Sequence, residues 1–187
     1  MRYIIGLLIT IGLLILLIML IITSGHRKSS TPTPKPLSSY STTDAQTRMI
    51  IDGPINAEQT HEQIQIIVGQ DAVVYEQIQG YNGTVVNSQT YANTQSSYYN
   101  FLRALEVASF TTGNHDPHLT NNTGFCPLGN RYNFQIIQDN SYVQNLWATT
   151  CTGDKTYGGK VSLTVTLFEA QVPNFQDLTQ NLTIPTY

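Results

Sequence analysis

The chain has 187 residues with nine basic and 12 acidic side chains, and charged residues make up only 11% of it, against about 25% in typical soluble proteins. Arg2, Arg27, Lys28 and Lys35 take four of the basic residues, so beyond residue 35 five bases face all 12 acids, a balance near −7. That balance argues against a nucleic-acid partner, because affinity there comes mostly from Lys and Arg neutralising phosphates.

Residues 1–3 read as a short cytoplasmic tail. Ile4 to Thr23 are 20 residues without a charge, with Thr10 and Thr23 the only polar ones, long enough to cross a bilayer core as a helix. A cleaved signal peptide has a shorter apolar core, of about 7–15 residues. The segment therefore reads as an uncleaved signal anchor, and the lipid bilayer as a partner. Two signals disagree on orientation. Only Arg2 precedes the span whereas Arg27, Lys28 and Lys35 follow it, which by the positive-inside tendency keeps the C-terminal part in the cytoplasm. The cysteines, discussed below, point outward and carry more weight.

Residues 24–46 hold Pro32, Pro34 and Pro36 among Ser and Thr, the composition of an extended, semi-rigid linker. Residues 47–178 have the size of one domain, and 179–187 read as a C-terminal tail. In the domain, Thr47 to Ile55 forms a first strand that ends at Gly53-Pro54. Ile64, Ile66 and Val68 alternate with Gln63 and Gln65, the period of a half-buried strand. Gly69-Gln70-Asp71 turns into "AVVYEQIQ". Asn82-Gly83 then marks a hairpin, since both residues tolerate positive φ, and "TVVNSQTY" returns.

The period changes next. Tyr98, Phe101, Leu102, Leu105 and Ala108 share one helical face, with Asn93, Thr94 or Ser96 as the cap. Residues 111–124 are a polar loop. "RYNFQIIQ" and "SYVQNLWATT" form a hairpin about Asp139-Asn140. Residues 158–172 fit either a strand or a helix, and the stop at Pro173 with the "LFEAQ" run favours a helix after Gly159. The expected fold is α+β: an N-terminal transmembrane helix, then an antiparallel sheet of five or six strands packed against about two helices.

Cys126 and Cys151 are the only two cysteines. They fall at the open end of that hairpin, the even count of an exported domain, so a structural disulfide is the leading reading. Zinc sites and thioredoxin-type motifs want short-spaced pairs such as C-x-x-C, and the chain has none. The disulfide places the domain outside the membrane. His115, Asp116 and His118 cluster in "NHDPH", a candidate metal site; the alternative is a solvated loop in which Asp-Pro marks a turn. No nucleophile elbow, phosphate loop or spaced carboxylate pair appears. No catalytic residue and no cofactor are therefore assigned.

The succession of apolar anchor, "TPTPKPL", "IDGPINAEQTHEQIQIIVG", "GYNGTVVNSQTYANTQSSYYNFLRALEVASFT", "CPLGNRYNFQIIQ", "LWATTC" and "GGKVSLTVTLFEAQVPNF" resembles a group of uncharacterised single-pass exported proteins of Saccharibacteria-type reduced-genome bacteria. The resemblance implies a bacterial cell surface and brings no catalytic residue with it. The expected role is a membrane-tethered, extracytoplasmic binding or envelope-structural module, with a surface protein or wall polymer as partner. Tyr81, Tyr98, Tyr99, Tyr132, Tyr142, Trp147 and Tyr157 would supply contacts where exposed. The alternative is a surface-acting enzyme or enzyme inhibitor. A pilin-like subunit fits poorly, because Pro32 to Pro36 breaks a helix soon after the membrane.

Overall fold

The computed structural model describes residues 35–153 and 155–184. The apolar span at 4–23, its flanking tail and most of the linker lie outside the described residues. Among the described residues no helix is long and apolar enough to cross a membrane.

A compact unit begins at Pro36. Its strands are β1 (Gln46–Asp52), β2 (Glu62–Val68), β3 (Ala72–Gln79), β4 (Thr84–Ala92), β5 (Arg131–Gln138) and β6 (Ser141–Thr149). Helix α1 (Gln95–Val107) joins β4 to the loop before β5, and α2 (Val161–Glu169) and α3 (Phe175–Thr179) follow β6. All neighbouring strands pair antiparallel, in the order β4-β3-β2-β1-β5-β6. The meander β1–β4 grows to one side of β1, and the hairpin β5–β6 completes its other side.

Period-two alternation gives the sheet one apolar face. Met49, Ile51, Ile64, Ile66, Tyr75, Phe134 and Leu146 on that face are all fully buried. The helices cover it: Phe101 of α1 meets Phe168 of α2 edge-on at 5.1 Å, and Phe175 of α3 meets Tyr75 at 6.2 Å. Burial also perturbs the tyrosines beneath the helices. It pushes the Tyr75 phenol up to about 12, with Tyr91 and Glu62 adding to the effect. The Tyr98 and Tyr157 phenols are likewise raised by burial, partly offset by hydrogen bonding with Thr47 and with Thr164 respectively; the Tyr98 hydroxyl itself donates to Ala45 O.

The opposite face has no helical layer among the described residues, and it is polar. Arg48 donates to Gln135 Oε1 and to the Tyr142 hydroxyl, Gln135 donates to Asn145 Oδ1, and Gln65 donates to Glu76 Oε2. These bonds run across strand pairs and satisfy amide and guanidinium groups that an apolar cover would orphan.

The turns follow their side chains. Asp139 and Asn140 both take positive φ, 49° and 59°, as a two-residue hairpin loop demands. At "GYNG" it is Gly80 and Gly83 that have positive φ, and not Asn82; β3 and β4 are joined by a four-residue loop instead of a tight Asn-Gly turn. Thr94 caps α1 through a bond from Ser97 N. Residues 158–172 contain the helix α2.

Several boundaries differ from those read in the sequence. β1 stops at Asp52, before Gly53. The linker reading 24–46 runs too far: residues 37–42 form a 3-10 turn whose Leu37 and Ser41 are buried, and Ser38 N donates to Glu106 Oε1 of α1. A lone leucine among Ser and Pro carries no period, so its burial was not legible. The C-terminal tail 179–187 is likewise packed where it is described. Ile184 is buried, and Thr183 donates to Glu62 Oε2 through both its amide and its hydroxyl. Between these lies α3, too short for a helical period to show.

Candidate binding cleft

The loop from 111 to 130 is long, yet its backbone is tied down throughout. Gly113 forms a bridge with Tyr157, Asn114 N donates to Thr156 O at 2.8 Å, and Gly158 N donates to Thr112 O at 2.8 Å. A Cβ at Gly113 would collide with the Thr156 carbonyl and with Leu146, so this approach requires glycine. Further along, the Trp147 indole N–H donates to Leu119 O at 2.6 Å, and Asn122 donates to Asn133 on β5. The loop's end is held by the disulfide Cys126–Cys151, with Cα atoms 5.6 Å apart, and by Ile55 N donating to Pro127 O. The cross-link therefore closes the open end of the β5–β6 hairpin, as the cysteine positions imply.

Between this loop and the segment after β6 lies a cleft of about 510 Å³. One wall is aromatic: Phe125 packs on Trp147 with ring centroids 4.8 Å apart. Trp147 is itself nearly buried, so the exposed part of this wall is Phe125 and Leu119. The polar side carries Asn114, His118, Asn121, Lys155 and Thr156. The Oδ1 atoms of Asn114 and Asn121 are used up by loop turns, accepting from Asp116 N and Thr123 N, which leaves their amide nitrogens as donors. The Thr156 hydroxyl accepts from Trp147 N at 2.8 Å and is not placed beside a base. The lining thus offers an ammonium, an imidazole and amide N–H groups, and among the described residues it contains no carboxylate. Such a surface attracts acceptor oxygens or an anion. It lacks both the acid/base carboxylate pair of glycoside cleavage and a nucleophile set against a base.

Hollows of similar size elsewhere are chemically plainer. One of about 470 Å³ beside the β2–β3 turn has Asp44 and Asp71 in its walls but no aromatic ring or cation. Another of about 550 Å³, beside the 3-10 turn and the start of α1, is lined by Ser, Thr, Pro, Gln and Tyr99.

The residues singled out in the sequence go to different places. His118 lines the cleft, His115 Nε2 lies 3.0 Å from Thr111 O, and Asp116 Oδ1 accepts from His118 N as a turn cap. Among the described residues no group of three His, Cys, Asp or Glu side chains is placed to hold a metal ion. Tyr98, Tyr132 and Tyr157 are core, whereas Tyr81, Tyr99 and Tyr142 are exposed.

The sequence reading missed one buried polar cluster altogether. Asp52 ends β1, His61 precedes β2 and Arg131 opens β5. Arg131 donates through Nε to Asp52 Oδ2 at 2.8 Å and through Nη2 to Gly53 O at 2.8 Å, and its Nη2 lies 2.6 Å from Asp52 Oδ2 as an ion pair. His61 Nδ1 donates to Pro54 O, and its Nε2 lies 2.8 Å from Asp52 Oδ1. Tyr81 stacks on the imidazole at 4.0 Å and exchanges bonds with Asn56. The cluster fastens the loop 53–60 to three strand ends. The strand register, Asp52 against both Gln63 and Arg131, is what assembles it, and no local spacing in the sequence announces that register.

No protein-family model matches this chain, and no curated protein is significantly similar to it.

Proposed function

We propose that the chain is a membrane-tethered, extracytoplasmic binding module, anchored through residues 4–23, and that the cleft over Trp147 takes a ligand rich in acceptor oxygens. The observation that carries this reading is a cleft with an aromatic wall whose described lining is rich in donors and holds no carboxylate. A polymer of the bacterial envelope bearing acidic sugars or carboxylate-ended peptides has that chemistry. The disulfide and the sparsely charged surface support an extracytoplasmic place. The resemblance to exported Saccharibacteria-type proteins agrees with it.

The test uses the full chain in mild detergent, titrated with muramyl dipeptide and with a short uronic-acid oligosaccharide while Trp147 emission is followed. A saturable change is expected with at least one probe, weakened about tenfold by Lys155→Gln, the loss of one charge-assisted bond. Failure of both probes, or equal affinity in the variant, would sink the reading. For topology, intact cells are treated with an impermeant maleimide. Labelling of Cys126 and Cys151 only after reduction supports the outer location; labelling that needs lysis but no reductant overturns it.

A second reading rests on Leu128, which is 88% exposed at the tip of the Cys126–Gly129 turn, beside the disulfide. A rigid loop presenting one apolar side chain suits an inhibitor of a surface enzyme. Leu128→Asp would abolish such inhibition and leave the cleft unchanged.

A further inference from the structure

The two edges of the sheet are treated differently. On β6 the chain itself occupies the free side near Trp147: Trp147 N donates to the Thr156 hydroxyl, and Thr156 N and Tyr157 N both donate to Trp147 O. On β4 no described segment does so. Among the described residues the backbone of Thr84–Ala92 is hydrogen-bonded to β3 alone, and no β4 side chain is buried.

Natural edges are blunted by charges, proline, short strands, bulges or cover. β4 is nine residues long, "TVVNSQTYA", with no charge and no proline. Its one device is an irregularity opposite Gln77/Ile78, which leaves Val86 unpaired. From Asn87 to Ala92 the ladder is regular, residue for residue against Gln77 to Ala72. An uncapped, uncharged, regular edge is a template for another strand.

We infer that β4 pairs antiparallel with β4 of a second copy, giving a continuous sheet across a two-fold axis. The argument for a second copy is self-complementarity, the requirement of an isologous interface. With the axis at Gln89, Ser88 lies opposite Thr90 on one face, Asn87 lies opposite Tyr91 on the other, and Gln89 meets itself. Ser/Thr pairs hydrogen-bond across strands, and no charge faces its like. The seven excess acids of the domain all lie off this edge. A run of about seven residues is a small interface, so the dimer is weak and is best trapped covalently. The inference is independent of the cleft and of whether residues 4–23 span a bilayer.

The test is site-directed cross-linking of the purified full chain with a short bis-maleimide. The native cysteines are joined and do not compete. Gln89→Cys is expected to give a covalent dimer in high yield. Asp71→Cys serves as the comparison: it sits beside Asn93, and its two copies would lie about 30 Å apart by strand rise and spacing, so it should stay monomeric. Adding Thr90→Lys to Gln89→Cys places like charges near the axis and is expected to cut the yield about fivefold. Trp147 emission checks that each variant is folded. Equal cross-linking at positions 71 and 89, a monomeric Gln89→Cys, or indifference to Thr90→Lys overturns the proposal. Capture of a different protein by Gln89→Cys in expressing cells, in place of a second copy, overturns it too.

Discussion

Replacing Asp52 by Asn keeps the shape of the side chain and removes the anion that, among the described residues, faces Arg131 and His61. Arg131 is 3% exposed and His61 is fully buried, so water cannot take over the lost interaction. At an effective dielectric of about 20, a unit charge pair 4 Å apart attracts by about 4 kcal/mol, and Asp52 faces the Arg131 guanidinium with the His61 ring beside it. Relief of the desolvation of Asp52, whose side chain is 17% exposed, offsets part of that loss. A buried pair broken on one side costs about 3–5 kcal/mol in total, and we expect Asp52→Asn to fall in that range. Arg131→Met should cost less, because the remaining carboxylate is the more exposed partner and the new side chain is apolar. The double variant should then lie close to Arg131→Met alone, with a coupling above about 1.5 kcal/mol. The assay is urea unfolding of the full chain near neutral pH followed by Trp147, the single tryptophan, whose buried ring reports the fold. A cost below about 1 kcal/mol for Asp52→Asn, or additive single costs, would refute the claim that this cluster is an ion-paired lock.

Two other expectations are simpler. Cys151→Ser opens a loop of 25-residue separation, which in the chain-entropy model costs about 3–4 kcal/mol; reductant should lower the urea midpoint of the natural protein to match the variant. Raised phenol pKa values mean that the unfolded chain releases its tyrosine protons first as pH rises. Stability held by Tyr75, Tyr98 and Tyr157 is therefore complete below about pH 10 and drains away above it, by up to about 1.4 kcal/mol per pH unit for each group. Alkaline titration should show a later rise in tyrosinate absorbance, beyond that of the exposed tyrosines, in step with loss of Trp147 burial, and Tyr75→Phe should soften that transition.

Elements with a strong local signal were legible in the sequence. Ile64, Ile66 and Val68 declare their strand by alternation alone, Tyr98 to Leu105 declare their helix, and Asp139-Asn140 adopts the positive φ that its chemistry permits. The cysteine pair was readable because the hairpin that aligns it was readable. What escaped depends on distant partners. Leu37 is buried only because α1 and the sheet provide a place for it, and Phe175 belongs to a helix of five residues that has no period to display. The cleft joins Asn114, Phe125, Trp147 and Lys155 from three segments, so of its lining only His118, as a metal candidate, and Trp147, as an aromatic contact, stand out in the sequence. Asp52 and Arg131 stand 79 residues apart, and each looks like an ordinary polar residue at a strand end.

That separation also sets a timetable. β1 is made first, yet one of its two sides pairs only with β5. At a synthesis rate of about 5–20 residues per second, the 79 residues between Asp52 and Arg131 keep that side waiting for roughly 4–16 s. During this interval the nascent meander β1–β4 has two open edges, and Met49 and Ile51 lack the neighbours on β5 that complete their cover. A chain built this way gains little by folding as it emerges and is suited to being held extended until β5 arrives.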